Sequence, residues 1–337
     1  MIFLLPRDDV PSGGNVYDRR VIDGLREAGR EVREIAVAGS WPRPSDDERA
    51  ALAAELATIP DGTLVLADGL VACGVPDVVV PHAERLRLVV LVHLPLADEG
   101  GPDLDARERD VLHAARTVVT TSPLAADRVR RHHGLREVQV VAPGTDPAEL
   151  APGTDGSSGL LCVASVTQRK GQDLLVQALA PLAGRSWTCD CAGPLRRDPE
   201  FAAHVRNLIA RHGLEERIRL LGPLTGEPLE HAYAAADLVV LPSRSETYGM
   251  VVTEALARGI PVIASAAPDA LGTAPDGSLP GLSFPPGDVA ALTGALRAWL
   301  DDPGLRARLR HSAQLRRGTL TLWTHTAQQM ARVLATG

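Results

Sequence analysis

Short apolar runs rich in Val, Ile and Leu alternate along the whole chain with longer segments in which Ala, Leu and Arg recur at helical spacing. This rhythm is typical of βα units, in which helices cover a buried parallel sheet. Strands are predicted in the first half at residues 2–5, 34–37, 63–67, 88–92, 117–120 and 138–141. In the second half they are predicted at residues 160–164, 187–192, 218–221, 238–241 and 261–264.

The predicted helices lie between these strands. One opens just after Gly13-Gly14-Asn15, and another opens at Ser122-Pro123, where Ser caps the helix and Pro fits its first position. The others are predicted at residues 47–57, 171–182, 251–258, 289–300 and 320–334. The sequence therefore predicts an α/β protein made of doubly wound, Rossmann-like domains.

The stretch from residue 143 to residue 159 is dense in Pro, Gly, Ser, Thr and Asp, as is typical of a linker. We place the domain boundary there, with residues 1–150 in the first domain and 151–318 in the second. Residues 319–337 contain the last helix, which falls outside the rhythm of the second sheet. Ligands of open α/β sheets bind beyond the carboxyl ends of the strands, so two such domains facing each other are expected to form a cleft.

Composition narrows the class of protein. The 337 residues include 35 basic and 42 acidic side chains, and this acidic balance argues against a nucleic-acid-binding surface. An apolar content of 45% excludes a disordered chain. No apolar run reaches the roughly 20 residues of a membrane span, and no export signal is visible, so a cytoplasmic protein is expected. The four cysteines lie in apolar segments, where buried thiols are expected.

Of the 35 basic residues, 34 are Arg and only Lys170 is Lys. A single Lys in such a chain indicates a position that a wide guanidinium does not fit. Lys170 and Arg169 lie between a predicted strand and a predicted helix, where two cations can neutralise an anionic ligand; a solvated basic turn is the alternative. The Gly13-Gly14 pair after the first strand either lets backbone amides approach an anion or forms a plain tight turn.

The most informative segment runs from residue 241 to residue 262, LPSRSETYGMVVTEALARGIPV. A predicted strand ends at Leu241, a polar loop follows and a helix opens near Gly249. Glu246 lies in the loop, and Glu254 lies about one turn into the helix. A carboxylate near a helix N-terminus can simply stabilise the helix, which accounts for Glu254 but not for Glu246 as well.

Together these residues resemble the retaining nucleotide-sugar glycosyltransferases of family 4, which have the GT-B fold. The resemblance rests on Glu246-x₇-Glu254, on QRKGQDLL at residues 168–175, on Gly13-Gly14 and on His93 within VHLPL. The order and spacing of these motifs cover nearly the whole chain. The Glu-x₇-Glu segment is the most specific of them, and the glycine pair and His93 are the least.

The resemblance implies an acceptor domain at residues 1–150, a nucleotide-sugar donor domain at 151–318 and a terminal helix that returns to the first domain. The roles that it implies are contact with donor-sugar hydroxyls for Glu246, contact with the ribose for Glu254, diphosphate binding by the amides near Thr247, Tyr248 and Gly249, and binding of the departing phosphate by Lys170. His93 either contacts the sugar, positions the acceptor or lines the cleft without a direct role. Asp68, at another strand end, is a further acceptor-side candidate.

The chain departs from the family pattern at one position. Members with the GR-x₄-KG pattern carry an Arg five residues before the Lys, where this chain has Ser165. One of the two cations expected at the leaving diphosphate is therefore missing. Either Arg169 or the amides of the following helix would have to supply the charge.

The leading hypothesis is a retaining glycosyltransferase that needs neither a metal ion nor a cofactor, with a nucleoside diphosphate sugar as the donor substrate. The few aromatic residues favour a small-molecule, lipid-linked or short glycan acceptor. The alternatives are a catalytically silent nucleotide-sugar-binding or scaffold subunit and a nucleotide-sugar epimerase. The arginine-rich residues 128–136 are either a solvated helix end or a contact to an anionic acceptor or a membrane surface. The nucleotide base, the sugar and the oligomeric state stay open.

Overall fold

The computed structural model describes residues 1–7, 12–98 and 100–336 of the chain. It forms two compact units. The first comprises residues up to Gly144 together with those from Thr321 onward, and the second is Thr145–Leu320. The first change of unit, after Gly144, lies six residues before the boundary placed after residue 150. The second change, after Leu320, lies two residues after the boundary placed after residue 318.

The first unit is built on a six-stranded parallel sheet. Its strands are β1 (Ile2–Pro6), β2 (Arg33–Val37), β3 (Leu64–Asp68), β4 (Arg87–Val92), β5 (Thr117–Thr120) and β6 (Gln139–Val140), in the spatial order β2-β1-β3-β4-β5-β6. Its helices include α1 (Gly13–Glu27), α2 (Asp46–Ala57), α3 (Gly69–Ala72), α4 (Pro76–Val79), α5 (Pro102–Ala114) and α6 (Pro123–His133). Side chains on both faces of β3 and β4 are buried, which explains their uninterrupted apolar sequence.

The second unit repeats this plan with another six-stranded parallel sheet. Its strands are β7 (Gly159–Val163), β8 (Thr188–Ala192), β9 (Ile218–Gly222), β10 (Leu238–Leu241), β11 (Val262–Ala264) and β12 (Gly281–Ser283), in the spatial order β12-β11-β10-β7-β8-β9. Its helices are α7 (Gln172–Leu179), α8 (Pro199–Arg211), α9 (Gly226–Ala234), α10 (Met250–Ala257), α11 (Pro268–Leu271), α12 (Val289–Asp301) and α13 (Pro303–Arg317).

The last helix, α14 (Trp323–Thr336), belongs to the first unit. It packs on α1 at a close approach, since a Cβ atom at Gly24 would lie 2.5 Å from that of Ala327. Trp323 meets Tyr17 edge to face at 5.9 Å between ring centroids, and the hydroxyl of Thr326 donates to the carbonyl of Ala142 at 2.9 Å. These contacts explain why the terminal helix does not follow the rhythm of the second sheet.

Two elements of the second unit escape the sequence pattern. β12 is an edge strand of three residues, GLS, without β-branched side chains. A Cβ atom at Gly281 would lie 2.0 Å from the carbonyl oxygen of Val262, so the glycine allows the close approach of β12 to β11. α13 is rich in arginine and is capped by Asp302, whose side chain accepts from the amide of Leu305.

The sheet order reverses once in each unit. In the first sheet the chain leaves β1 on opposite sides for β2 and β3, and in the second it leaves β7 on opposite sides for β8 and β10. Such a switch point separates neighbouring loops at the carboxyl ends of the strands and is where doubly wound folds bind ligands. The two switch points, β1/β3 and β7/β10, therefore direct attention to the loops that follow these strands.

The four cysteines are buried and free of disulfide bonds, as the sequence predicts. In the part of the chain that the structure describes, none of the helices combines the length and the apolar character needed to cross a bilayer.

Candidate functional site

Lys170 and Glu246 meet at the switch point of the second unit. Lys170 follows β7 and Glu246 follows the neighbouring strand β10. The Nζ atom of Lys170 forms an ion pair with Oε1 of Glu246. Arg169 Nη1 lies 3.8 Å from Oε2 of the same carboxylate and donates to the carbonyl of Ser245 at 3.1 Å. The fold thus brings together three residues that the sequence places in two separate motifs.

The surroundings of Glu246 keep its carboxyl group ionised. Its side chain is only 7% exposed, and burial alone would raise its pKa, but the charges of Lys170 and Arg169 lower the pKa below its ordinary value. The hydroxyl of Ser243 also donates to Oε1 at 2.7 Å. Glu246 is therefore a fixed hydrogen-bond acceptor beside two cations.

A second ion pair fastens the two loops together. The guanidinium of Arg244 binds both carboxylate oxygens of Asp173, at 2.9 and 2.7 Å, and its backbone amide donates to the carbonyl of Arg169 at 2.7 Å. Gly171 has φ +72°, and a Cβ atom there would lie 2.2 Å from the carbonyl oxygen of Pro242. Glycine is required here for both backbone conformation and space.

Helix α10 begins next to these loops without a side-chain cap. Its N-cap residue is Gly249, with φ +92°, and Thr247 and Tyr248 precede it. No side chain caps the helix, although the amide of Val252 donates to the carbonyl of Gly249 at 2.9 Å. The N-terminus of such a helix favours an anion through its amide groups and the helix dipole. Burial raises the pKa of Tyr248, with Asp269 adding to this effect and Arg316 opposing it, so that residue is a neutral phenol at pH 7.

Glu254 lies farther along α10 and is held from one side. The hydroxyl of Tyr233, on α9, donates to its Oε2 atom at 2.6 Å. Arg258 stacks over the Tyr233 ring at 4.4 Å and donates to the carbonyl of Glu254 at 2.8 Å. Burial raises the pKa of Glu254 above its ordinary value, although Tyr233 and Arg258 oppose this effect. The hydroxyl of Tyr233 thus occupies Oε2, and Oε1 is the carboxyl oxygen without a hydrogen bond from the described residues.

The first unit gathers its candidates at its own switch point. Gly13 is the first residue of α1, which Ser12 caps, and a Cβ atom at Gly14 would lie 3.3 Å from Cδ2 of His93. His93 follows β4, and its Nε2 atom lies 2.7 Å from Oδ1 of Asp18. Asp18 is a buried residue of α1 that the sequence reading missed, because an Asp in an amphipathic helix gives no signal of burial.

Asp68, the last residue of β3, completes this cluster and shifts its charge balance. Burial and the charge of Asp18 raise the pKa of Asp68 to about 7. Burial would lower the pKa of His93, but the carboxylate of Asp18, assisted by Asp68, raises it to about 9. At neutral pH His93 is therefore an imidazolium beside a pair of carboxyl groups.

The arginine-rich end of α6 is occupied by ion pairs within the first unit. Arg128 binds Asp98, and both Arg130 and Arg131 bind Asp127. This pairing favours the interpretation as a solvated helix end.

One group of possible metal ligands comes together near the same end of α6. Asp105, His132 and His133 each place one ligand atom within 4.8 Å of the others. The sequence did not predict this group, because Asp105 lies on α5 whereas both histidines lie at the end of α6. His132 is bonded to Asp105 at 2.5 Å, and His133 to the buried Glu108 at 3.1 Å, so partners within the chain already engage both rings.

Ser165, where the family pattern has Arg, lies in the loop after β7. Its carbonyl accepts from the side chain of Gln172 at 3.0 Å. In this loop Arg169 places a guanidinium near Glu246, the carboxylate that Lys170 also binds.

The chain is similar in sequence and in fold to known proteins. Residues 154–316 match the model of the glycosyl transferases group 1 family. The chain is 32% identical over 289 residues to a D-inositol 3-phosphate glycosyltransferase of Salinispora tropica, a match that covers 77% of this chain and 59% of that protein. Residues 154–316, within the second unit, are therefore a domain of the group 1 glycosyl transferases. A second relative of this group, D-inositol 3-phosphate glycosyltransferase 1 of Catenulispora acidiphila, is 33% identical over 264 residues, covering 71% of this chain and 62% of the relative.

The chain spans about 60% of the length of these curated relatives. Two solved structures match the chain over its full length. Sucrose-phosphate synthase from Thermosynechococcus elongatus gives a TM-score of 0.80 at 21% identity, covering 100% of this chain and 98% of that one. Anabaena HepE, solved in complex with UDP-glucose, gives 0.78 at 19% identity with both chains fully covered. At such identities the likeness shows the fold, and the predicted α/β class of GT-B type is confirmed.

Proposed function

We propose that this chain is a retaining glycosyltransferase that moves a sugar from a nucleoside diphosphate to an acceptor hydroxyl without a metal ion or a further cofactor. The observation that carries the proposal is the meeting of Lys170, Arg169 and Glu246 at the β7/β10 switch point, beside the uncapped start of α10. The match of residues 154–316 to the group 1 glycosyl transferases supports glycosyl transfer. The UDP-glucose complex of Anabaena HepE supports a nucleotide sugar as the donor.

Each group then has a defined task. The first amides of α10, near Thr247 to Gly249, bind the diphosphate, and Lys170 exchanges its contact with Glu246 for a phosphate oxygen. Glu246 accepts from hydroxyls of the donor sugar, which replace the lysine as its partners. Oε1 of Glu254 accepts from the ribose, while Tyr233 holds the other oxygen. Arg169 supplies the second cation that the chain lacks at Ser165.

The reaction breaks the bond between the anomeric carbon and the phosphate oxygen, and the electron pair leaves with the diphosphate. The acceptor oxygen bonds to the anomeric carbon on the face that the diphosphate leaves, and its proton passes to the departing phosphate oxygen. Negative charge therefore grows on the leaving group in the transition state. Each prearranged hydrogen-bond donor to that charge is worth roughly 3 kcal/mol. This route needs no protein nucleophile, because the acceptor oxygen itself attacks the anomeric carbon.

A donor screen tests the proposal. Thermal shifts with UDP, GDP, dTDP and ADP sugars should single out one donor, because a ligand at 100 times its Kd stabilises the folded state by about 2.7 kcal/mol. Transfer is then measured with an acceptor panel that begins with D-inositol 3-phosphate, the compound in the names of the relatives. NMR of the product should show the donor's anomeric configuration preserved.

The outcomes separate the alternatives. If no donor binds and no donor supports transfer, the proposal is contradicted. Tight donor binding with no transfer to any acceptor and no hydrolysis would instead support a silent binding subunit. Isomerisation of the donor without an acceptor would indicate an epimerase, and an inverted product would show that the retaining assignment is wrong.

A further inference from the structure

The cluster of His93, Asp18 and Asp68 at the β1/β3 switch point is more than a support for one histidine. Each of the three side chains places one nitrogen or oxygen atom within 4.8 Å of the other two. Asp18 is 1% exposed and Asp68 is 4% exposed. Two carboxyl groups that lie this close together and are buried from water cannot both be ionised unless another group compensates their charge.

One oxygen of this cluster lacks a partner. Oδ1 of Asp18 binds Nε2 of His93 at 2.7 Å, and Oδ1 of Asp68 accepts from the amide of Leu70 at 2.7 Å. Oδ2 of Asp18 is buried, and no donor among the described residues reaches it. Asp68 is the other carboxyl group of the cluster and places an oxygen within 4.8 Å of one of Asp18, so a proton on Asp68 would offer this oxygen a donor.

We propose that Asp18 and Asp68 are positioning residues for His93: their carboxyl groups share one proton, and the negative charge that they hold together fixes the His93 ring as an imidazolium. Nε2 donates to Asp18, so Nδ1 is the ring nitrogen left to donate to a ligand. Gly14 lies against the ring, where a Cβ atom would have only 3.3 Å to Cδ2. The ring is therefore set in both orientation and charge.

The other titratable groups around the cluster do not change its charge. Tyr17, on α1, meets the His93 ring edge to face at 5.1 Å and donates its hydroxyl to the carbonyl of Val141 at 2.8 Å. Burial, and then the charge of Asp18, raise the pKa of Tyr17 well above its ordinary value. Burial likewise raises the pKa of the Cys73 thiol, with Glu108 and Asp68 adding to the effect. Tyr17 and Cys73 are therefore both neutral near pH 7.

The inference rests on the proposed function only for the ligand that His93 meets. An imidazolium N–H suits an oxygen acceptor, such as a hydroxyl of a bound sugar or an oxygen of a phosphate. With a neutral histidine bonded to Asp18 through Nε2–H, Nδ1 would instead be an acceptor and would reject a phosphate oxygen. The shared proton thus decides which ligand atom the first unit accepts.

Nitrogen-15 NMR of the histidine rings tests the proposal without any turnover, so its result stands whatever the outcome of the donor screen. The His93 signals are assigned by their loss in His93→Gln. In the wild type both ring nitrogens should stay protonated up to about pH 9. In Asp18→Asn the midpoint of the His93 titration should fall by about two pH units. In Asp68→Asn it should fall by a smaller amount, because Asp18 is the direct partner of the ring.

Asp23→Asn is the matched control, since Asp23 is an exposed residue of the same helix and should leave the His93 midpoint unchanged. A wild-type midpoint near the ordinary 6.5 would overturn the proposal even if Asp18→Asn failed to fold. An unchanged midpoint in a folded Asp18→Asn would do the same. Calorimetry with ZnCl₂ and MgCl₂ provides the remaining arm: a cation bound by the wild type and lost in Asp18→Asn would place a metal where we place a proton.

Discussion

The ammonium of Lys170 and the carboxylate of Glu246 form an ion pair although 76 residues separate them in the chain. The pair forms because β7 and β10 are neighbours across the switch point, which puts the loops that follow them side by side. In the proposed mechanism the buried carboxylate keeps the ammonium at the site until the donor binds and a phosphate oxygen replaces Glu246 as its partner. The charge is then already in place when the leaving diphosphate develops its own.

Lys170→Ala should lower kcat about 10²–10³-fold, because one prearranged donor to the leaving group is lost. Affinity for the donor should change much less, since the charge acts mainly in the transition state. Initial-rate kinetics at varied donor concentration measure both effects. Arg219→Ala is the control: its side chain is 63% exposed and pairs with Asp190, so kcat should stay within about twofold. An unchanged kcat in Lys170→Ala would remove this residue from the mechanism.

Tyr233→Phe should weaken the binding of a nucleoside diphosphate about fivefold, because the hydrogen bond that orients Glu254 is worth roughly 1 kcal/mol. Glu254→Gln should weaken it further. Binding of inorganic pyrophosphate, which has no ribose, should not change in either variant. Calorimetry with both ligands measures this, with Glu227→Gln, an exposed change on the same helix as Tyr233, as the control. Equal losses for both ligands would contradict the ribose assignment.

The cluster around His93 should make the protein less stable as the pH rises. The pKa of His93 is about 9 in the folded chain against an ordinary 6.5, so its contribution is complete below pH 6.5 and is lost as the pH rises through 9. Its full size is about 3 kcal/mol at most. Asp68, with a pKa of about 7 against 3.8, acts in the same direction between about pH 4 and pH 7.

Urea unfolding at pH 6, 7, 8 and 9 measures this slope. Asp18→Asn should flatten it above pH 6.5, since the partner that raises the pKa of His93 is gone. Asp23→Asn should follow the wild type. A wild-type stability that rose from pH 7 to pH 9 would contradict the assigned charges, unless another group could be shown to titrate there.

Gly171→Ala should lower the free energy of unfolding by about 3 kcal/mol, because the new Cβ atom meets the carbonyl of Pro242 in a backbone with φ +72°. Two controls separate these causes. Gly213→Ala has φ +63° and open space, and should cost about 1–2 kcal/mol. Gly184→Ala has open space and no positive φ, and should change stability by less than about 1 kcal/mol. Urea unfolding measures all three, and equal losses in Gly171→Ala and Gly213→Ala would show that the two loops do not pack closely.

Sequence pattern alone predicts most of the two sheets, and its failures have specific causes. The edge strand β12 lacks the apolar run that marks its neighbours. Its close contact with β11 is made by the backbone at Gly281, where a side chain would not fit. The arginines of α13 resemble a solvated segment, although Asp302 caps that helix. Asp18 and Tyr233 escaped notice as site residues because each lies in a helix and serves a partner at least 21 residues away.

The α/β class could be predicted because short apolar runs alternate with longer segments of helical spacing. Strands that are covered on both faces must be apolar along their whole length. Composition drew attention to Lys170, and the family resemblance carried by Glu246 and Glu254 implied a nucleotide-sugar site. Which residues touch was decided by the tertiary structure: the ion pair of Lys170, the hydroxyl that holds Glu254 and the carboxyl pair behind His93. Such contacts depend on which strands are neighbours in a sheet, and burial then sets the charge of each group.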